Sequence, residues 1–313
     1  MFCTVTCNPS LDYTLSLPSL CVGQVNRAAA AALTPGGKGV NVARMARRLG
    51  LPVRAAGFAG GFTGDALARA LAEEGVETAF LAPGTGCTRI NVKLLDGRTA
   101  TELNAPGPAA AESAWEALES SLAGLGAGDV LVLSGSVPPG AGQGVYGRLA
   151  AGPAARGALV AVDAEGPLLL QALAARPFLV KPNREELAAL FGQPVDTFAR
   201  ARAGAARLQA AGARHVLVSM GADGAVLLAE DGTCYAAAAP SGAVRSAVGA
   251  GDAMVAGFLA GWLAGGAPAP ALCWGIAAGS AWAFAGGPPS GETVRRFLGQ
   301  IAAKPLATGG EIE

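Results

Sequence analysis

Histidine is nearly missing from this chain of 313 residues, since His215 is the only one. It lies in the apolar run Arg214–Val218, which is typical of a buried strand. The sequence therefore argues against histidine-based catalysis and against a multi-histidine metal site. The six cysteines include no CxxC pair, so they predict neither a zinc cluster nor a disulfide framework: Cys3, Cys7, Cys21, Cys87, Cys234 and Cys273. They fit a reducing compartment, and because no signal-peptide pattern is present, we expect a cytoplasmic protein.

A surplus of either charge is also missing, because 23 Lys and Arg balance 23 Asp and Glu. The chain therefore has no broad basic face for nucleic acid. Charged residues are absent from Ala253 to Gly291 as well, which raises the question of a membrane segment. The Gly265–Pro270 segment divides this stretch into two parts, each shorter than the ~20 residues that a span needs. We expect two buried core helices and no membrane attachment.

Apolar runs alternate with amphipathic stretches along the chain. The runs rich in Val, Leu and Ala predict strands: Cys3–Cys7, Val53–Ala59, Asp129–Ser134, Ala158–Asp163, Phe178–Val180, His215–Ser219 and Ala225–Ala229. The stretches between them predict helices: Gly39–Leu49, Gly64–Glu74, Ala111–Leu122, Gln143–Ala151, Arg184–Phe191 and Thr197–Ala211. This alternation predicts an α/β fold with a mainly parallel central sheet. Without a long linker, residues 1–313 are expected to form one domain.

Two regions interrupt that alternation, at about 11–34 and 87–106. Both have the pattern of short alternating strands, and Arg89–Leu95 followed by Asp96-Gly97 indicates a hairpin. We expect the two regions to meet in a small β-sheet that covers a site as a lid. At the other end of the chain, Thr308–Glu313 is expected to be a frayed tail.

The turn Val248–Asp252 places a carboxylate beside two glycines, directly before an apolar helical segment. Backbone N–H groups at a helix start lack intrahelical acceptors, and glycine lets an anion approach them closely. Asp252 there is suited to accept the proton of an attacking hydroxyl, as phosphoryl transfer requires. On these residues alone, an aspartate that caps a helix is an equally good interpretation.

A second glycine cluster, Pro35–Ala43, also precedes a helix and adds Lys38 and Asn41 on its first turn. These groups suit a sugar or sugar phosphate, although a turn with a solvated lysine is the simpler alternative. The spacing does not match a Walker A loop, and no GxGxxG motif follows the first strand.

Polar residues also follow several of the predicted strands. Asp12 lies just beyond the first strand, at the sheet edge where open α/β sheets bind ligands, unless it is a turn aspartate. In Lys181–Glu186, Asn183 and Glu186 have the spacing of a capping box, which is enough to explain both. Ser219–Gly224 is by default a turn between two strands.

Together these motifs resemble the ribokinase-like (PfkB) carbohydrate kinases over essentially the whole chain. The family's two signatures are similar to Gly36–Asn41 and Val248–Asp252, and its nucleotide-side motifs are similar to Lys181–Glu186 and Ser219–Gly224. The resemblance implies a three-layer α/β/α kinase domain with a small β lid. The lysine of the first signature, with Thr88–Lys93, resembles the branch whose substrates already carry a phosphate.

The resemblance also implies a role for each matching residue. Asp252 is the expected general base, and Gly249, Ala250 and Gly251 offer N–H groups to the transferred phosphoryl group. The sugar hydroxyls are expected to be bound by Asp12, Gly36, Gly37 and Asn41. The phosphate already on the substrate is expected to be bound by Lys38, Arg89, Arg27 and Ser136. The nucleotide side is expected to comprise Lys181, Asn183, Ser219, Gly221, Gly224 and Ser280. Asn183 and Glu186 are expected to act on Mg²⁺ through water.

The implied reaction is phosphorylation of fructose 1-phosphate by ATP, with tagatose 6-phosphate and fructose 6-phosphate as alternative substrates. A homodimer formed through the lid is implied as well. A nucleotide- or sugar-phosphate-binding protein without turnover is the alternative from another class, but it would leave Asp252 without an evident role.

Overall fold

The protein is described by a computed structural model that covers residues 1–97 and 99–307. The predicted tail, Thr308–Glu313, lies outside the described residues. Within them, ten strands form one large sheet, in the spatial order β14 (Lys304–Pro305), β13 (Cys234–Ala237), β12 (Ala225–Leu228), β11 (His215–Ser219), β10 (Leu179–Val180), β9 (Leu159–Asp163), β8 (Val130–Ser134), β1 (Phe2–Thr6), β4 (Val53–Phe58) and β5 (Glu77–Leu81). The pairs from β5 to β11 are parallel, and those from β11 to β14 are antiparallel.

Helices cover both faces of this sheet. They are α1 (Lys38–Arg48), α2 (Gly61–Glu73), α3 (Glu112–Leu122), α4 (Val145–Ala155), α5 (Gly166–Ala172), α6 (Arg184–Phe191), α7 (Phe198–Ala210), α8 (Ala250–Gly265), α9 (Pro268–Ala285) and α10 (Gly291–Leu298). Helices α3 to α7 contribute to one buried apolar cluster, and α1, α2 and α8 to α10 to another. Successive residues of β8 alternate between the clusters, with Leu131 in the first and Val132 in the second. Because side chains alternate across a strand, the sheet is the middle of three layers.

The charge-free stretch forms α8 and α9, which pack side by side in the second cluster. This confirms the prediction of two core helices. None of the helices in residues 1–97 and 99–307 is long and apolar enough to cross a membrane.

A separate sheet of four strands has the order β3 (Ala30–Gly36), β2 (Ser10–Ser16), β6 (Arg89–Leu95) and β7 (Ala100–Leu103). The two regions predicted to meet do so through β2 and β6, which pair in parallel from Ser10 opposite Arg89 to Ser16 opposite Leu95. Strands β6 and β7 form the predicted hairpin. The small sheet therefore brings segments from two distant parts of the chain to one side of the molecule.

Candidate active site

A cavity of about 1040 Å³ lies between the carboxyl ends of the parallel strands and the small sheet. Thr6, Asp163 and Ser219 line it from the ends of large-sheet strands, and Asp12 lines it from the small sheet. The predicted site residues that line it are Asp12, Gly37, Lys38, Asn41, Arg89, Ser136, Lys181, Asn183, Glu186, Ser219, Gly221, Gly224, Gly249, Ala250, Gly251, Asp252 and Ser280. The fold thus gathers into one cavity groups that are far apart in sequence.

Two of the predicted residues lie elsewhere. Gly36 is buried at the end of β3, where an added Cβ would collide with the carboxylate of Asp12, so its glycine is needed for that strand to pass Asp12. Arg27 is exposed in the connection between β2 and β3 and does not line the cavity. The phosphate-binding role expected of Arg27 stays a prediction.

Two helices begin at the cavity wall, and each follows a glycine with positive φ. Gly37 has φ 113° before α1, and Gly249 has φ 85° before α8. Residues with a Cβ rarely adopt these angles, which explains the glycine at both positions. The first turns carry N–H groups without intrahelical acceptors and the positive ends of two helix dipoles. The N–H of Ala250 already donates to the carbonyl of Ala247 at 3.2 Å.

Asp252 lies in the first turn of α8 and is 6% exposed. The side-chain amide of Asn41 donates to its Oδ2 at 2.8 Å, so the starts of α1 and α8 meet at this carboxylate. Burial, reinforced by the nearby Asp163 carboxylate, raises the pKa of Asp252 to about 7, although Asn41, Lys38 and Lys181 oppose the rise. A carboxylate with this pKa can exchange a proton near neutral pH.

Asp163, at the end of β9, is 1% exposed and anchors a charged cluster beside Asp252. Lys38 Nζ lies 3.4 Å from its Oδ1, and Lys181 Nζ lies 3.5 Å from its Oδ2. Lys38 also lies 3.3 Å from Glu165 and 3.5 Å from Glu186. Burial by itself would lower the pKa of Lys38, but the surrounding carboxylates raise it, so Lys38 is a cation.

Asp163 was not among the predicted site residues. Asp12 was singled out as a carboxylate at the carboxyl end of a predicted strand. Asp163 ends the predicted strand Ala158–Asp163, so the same reasoning would have found it. Lys38 was expected to bind the phosphate of the substrate, and that role stays a prediction. In the structure its ammonium group contacts the carboxylates of Asp163, Glu165 and Glu186, of which only Glu186 belongs to a predicted nucleotide-side motif.

The predicted capping box at the start of α6 is present. Asn183 Oδ1 accepts from the N–H of Glu186 at 2.7 Å, and Glu186 Oε2 accepts from the N–H of Asn183 at 2.9 Å. Ser219 pairs with Asn183 across an isolated parallel bridge, which places the turn after β11 next to this cap. The two motifs predicted to bind the nucleotide are therefore adjacent in space, and local structure also explains the capping residues.

No cluster of three or more acidic, histidine or cysteine residues within the described ranges has the geometry of a direct metal site. Mg²⁺ in kinases, however, keeps several waters and is bound by one or two carboxylates together with substrate phosphates. Asp163 Oδ2 is buried and accepts no hydrogen bond, although it forms an ion pair with Lys181 at 3.5 Å. Asp163 and Glu186 both contact Lys38 Nζ, which places the two carboxylates near each other. These residues fit a metal bound through water and phosphate.

Three side chains of the small sheet donate to the carboxylate of Asp12, and none of them was among the predicted site residues. Ser10 Oγ and Asn91 Nδ2 donate to its Oδ1 at 2.7 and 3.1 Å, and Lys93 Nζ lies 2.9 Å from its Oδ2. Asn91 and Lys93 follow Arg89 at alternate positions of β6, so all three face the cavity. Because Arg89, Asn91 and Lys93 alternate within the Thr88–Lys93 motif, the sequence could have predicted that all three lie on one face of the strand.

Arg89 links the small sheet to the strand junction. Its guanidinium donates to the carbonyl of Ala105 at 2.9 Å and to that of Asn8 at 3.0 Å. Its Nε is buried and makes no hydrogen bond in the structure. Arg89 lines the cavity and fixes the segment after β7, and its unmet donor is buried behind the surface.

The cavity thus presents a buried carboxylate of raised pKa, glycine-rich helix starts and a cluster of cations. This combination defines a phosphotransferase with an α/β/α fold. The comparisons with known proteins agree. Residues 7–291 match the family of pfkB carbohydrate kinases.

The chain is 39% identical over 306 residues to a 1-phosphofructokinase of Bacillus subtilis strain 168, covering 98% of this chain and 100% of that protein. It is 35% identical over 288 residues to a D-tagatose-1-phosphate kinase of Bacillus licheniformis, covering 92% and 94%. A crystal structure of the Escherichia coli phosphofructokinase-2 with fructose 6-phosphate superposes with a TM-score of 0.88, at 30% identity and with coverage of 96% and 98%.

The chain belongs to the pfkB family of carbohydrate kinases. It is a sugar-phosphate kinase that acts on an alcohol group, with ATP as its co-substrate, as the resemblance of its motifs predicted. Its fold is the ribokinase-like α/β fold with a small separate sheet.

Proposed function

We propose that this enzyme transfers the γ-phosphoryl group of ATP to the C6 hydroxyl of fructose 1-phosphate, producing fructose 1,6-bisphosphate and ADP. The observation that carries the chemistry is Asp252, a buried carboxylate with a raised pKa beside the glycine-rich start of α8. The choice of sugar is supported by the similarity to 1-phosphofructokinases.

In this reaction Asp252 accepts the proton of the attacking hydroxyl as the new O–P bond forms and the bond to ADP breaks. Charge that develops on the phosphoryl oxygens is stabilised by the N–H groups of Gly249, Ala250 and Gly251. Ala250 contributes only after its N–H exchanges the carbonyl of Ala247 for a phosphoryl oxygen. Raised in pKa, Asp252 is a stronger base than an ordinary aspartate.

The sugar is oriented by groups from both sheets. Asp12 is fixed by its three donors and accepts hydrogen bonds from sugar hydroxyls, together with Gly37 and Asn41, while Gly36 contributes by leaving room for the Asp12 carboxylate. The phosphate at C1 is bound by Arg89, whose Nε–H group has no hydrogen-bond partner in the structure. Lys38, Ser136 and Arg27 are further ligands of this phosphate. Arg27 reaches the cavity only if the connection between β2 and β3 closes over it.

The nucleotide is bound by Lys181, Asn183, Ser219, Gly221, Gly224 and Ser280. Asn183 and Glu186 would hold Mg²⁺ through water, and Asp163 Oδ2, which pairs with Lys181 but accepts no hydrogen bond, would be a further ligand. The metal would supply positive charge to the phosphates. Lys38 and Lys181 neutralise Asp163 in the protein itself.

The small sheet acts as a lid and pairs with the lid of a second copy of the chain. Tyr13 lies opposite Leu33 on one side and Val92 on the other, and Val92 lies opposite Leu103. Asp12, next to Tyr13, faces the cavity, so this apolar row lies on the outer face of the sheet. Leu33, Tyr13 and Leu103 are 53%, 38% and 57% exposed. An exposed apolar row of this kind is suited to an interface.

The substrate is tested with purified enzyme, ATP and four sugar phosphates in a coupled assay of ADP release. The sugars are fructose 1-phosphate, fructose 6-phosphate, tagatose 6-phosphate and tagatose 1-phosphate. The last is included because of the similarity to a tagatose-1-phosphate kinase. We expect the highest kcat/KM with fructose 1-phosphate, and a higher value with another sugar would replace it as the substrate.

The role of Asp252 is tested with Asp252→Asn, which keeps the size of the side chain and removes the base. We expect kcat to fall by about three orders of magnitude or more while the KM values change little. Asp196→Asn, at an exposed residue of an ion pair next to α7, is the matched control. Near-normal turnover by folded Asp252→Asn would exclude the general-base role.

A further inference from the structure

The last turns of α9 support the segment that leads into the start of α8. Trp282, which is 3% exposed, donates from its indole Nε1 to the carbonyl of Val248 at 2.8 Å. Its ring also lies beneath Gly249, where an added Cβ would be 2.6–2.8 Å from three indole atoms. Trp282 therefore contacts both the residue before the helix start and the helix start itself.

Neighbouring residues of α9 hold the same segment. The carbonyl of Ala283 accepts from the N–H groups of Arg245 and Ser246 at 2.9 and 3.1 Å. The ring of Phe284 lies 2.5 Å from the position of a Cβ on Gly242. These contacts place residues 242–249 on one helix end, so that α9 determines the path of the chain toward Asp252.

The hydrogen bond from Trp282 to the carbonyl of Val248 also fixes the orientation of the Val248–Gly249 peptide. In a planar trans peptide, the carbonyl of Val248 and the N–H of Gly249 point in opposite directions. With the carbonyl held toward Trp282, the N–H of Gly249 is turned away from α9. Val248 and Gly249 both line the cavity, so the peptide lies between Trp282 and the space proposed for phosphoryl transfer.

We propose that Trp282 is a positioning residue for phosphoryl transfer, which holds the Val248–Gly249 peptide with its N–H facing the transferred group. Trp282 acts through this peptide and not by contact with the substrate. The inference rests on the proposed role of Gly249 to Gly251 in phosphoryl transfer, and it does not depend on which sugar is the substrate.

The test compares Trp282→Phe, which keeps a large ring but removes the N–H, with Trp274→Phe as the matched control. Trp274 lies on the same helix but packs against Gly261 of α8. We expect Trp282→Phe to lower kcat about tenfold, with the KM values for ATP and sugar phosphate within about threefold of wild type. Trp274→Phe should keep the kcat of the wild type.

A spectroscopic signature accompanies the kinetics. Since Trp282 contacts the cavity turn, addition of ADP and sugar phosphate should change tryptophan emission in the wild type and in Trp274→Phe, and the change should be lost in Trp282→Phe. If Trp282→Phe does not fold, as judged by circular dichroism, Trp282→Met, which also lacks a donor, takes its place under the same criteria.

Three outcomes would overturn the proposal. These are a kcat within about threefold of wild type in the folded variant, an equal loss of kcat in Trp274→Phe, or a loss confined to the KM for ATP. All measurements use the sugar phosphate that the wild type phosphorylates best. Failure of fructose 1-phosphate as the substrate is therefore distinguishable from failure of the role of Trp282.

Discussion

The pKa of Asp252 is set by opposing effects of burial and of the polar and charged groups around it. Burial and the Asp163 carboxylate favour the protonated form, whereas Asn41, Lys38 and Lys181 favour the carboxylate. A general base must be deprotonated to act, so its activity is lost as the pH falls through its pKa. With the pKa at about 7, turnover should rise across neutral pH.

This competition predicts the effect of removing one cation. Lys38→Met deletes a positive charge that lowers the pKa of Asp252, so that pKa should rise and the acid limb of the kcat–pH profile should move to higher pH. The profile is measured at saturating substrate, beside Lys304→Met in exposed β14 as the control. A limb that stays in place or moves to lower pH would contradict this account.

Individual residues differ in how far the sequence could place them. Asp252 and Asp12 were predictable because each follows a local signal, a glycine-rich helix start or a strand end. Lys93 and Trp282 act across the fold, on Asp12 and on Val248, through contacts that no local pattern encodes. Their roles depend on strand register and on how α9 packs, which only the folded structure provides.

At the scale of the element, the start of α6 combines a structural and a proposed functional role. Asn183 caps the helix, and it is also the proposed partner of Mg²⁺ through water. Loss of an N-cap costs about 1 kcal/mol of stability, whereas loss of a metal contact changes the dependence of activity on Mg²⁺. Substitutions that preserve or remove the cap can separate the two roles.

We expect Asn183→Ala to lower the free energy of unfolding by about 1 kcal/mol in denaturant titrations. Asn183→Ser, which can still cap the helix, should retain most of that stability. Both variants should need more Mg²⁺ for half-maximal activity if the amide acts on the metal. A normal Mg²⁺ requirement in Asn183→Ser would leave the capping box as the full explanation of Asn183.

The elements that the sequence predicted well are those with one dominant signal. Strands such as β8 and β11 are buried on both faces, so their continuous apolar runs identified them within a residue. Strand β5 was missed because it is only partly buried at the sheet edge, and α10 because Val294 alone of its residues is buried. Elements at the edge of the fold are stabilised mainly by contacts with neighbouring elements. Their own sequences therefore show only a weak pattern of apolar residues.

At the scale of the whole molecule, the small sheet has two faces with different chemistry. Its inner face carries Asp12, Arg89, Asn91 and Lys93 toward the cavity. Its outer face carries the row Leu33, Tyr13, Val92 and Leu103. The sequence predicted the strands and their meeting, but only the register shows that the apolar residues form one row.

This arrangement links assembly to substrate binding in the proposed dimer. If the outer rows of two copies pack together, each lid is held in place over its own cavity by the partner. Separating the copies should then loosen the inner face and weaken binding of the sugar phosphate. Binding of ATP to the large-sheet side should change much less.

We therefore expect the wild type to be a dimer in light scattering, and Leu33→Asp/Leu103→Asp to be a monomer, because the new charges cannot be buried without partners. The double variant should show a KM for sugar phosphate raised by about tenfold or more, with a smaller change in the KM for ATP. Leu170→Asp, at an exposed position of α5, is the control and should stay dimeric. A monomeric wild type, or a double variant that remains a dimer, would show that the lid is not the interface. A monomer with an unchanged KM would separate assembly from sugar binding.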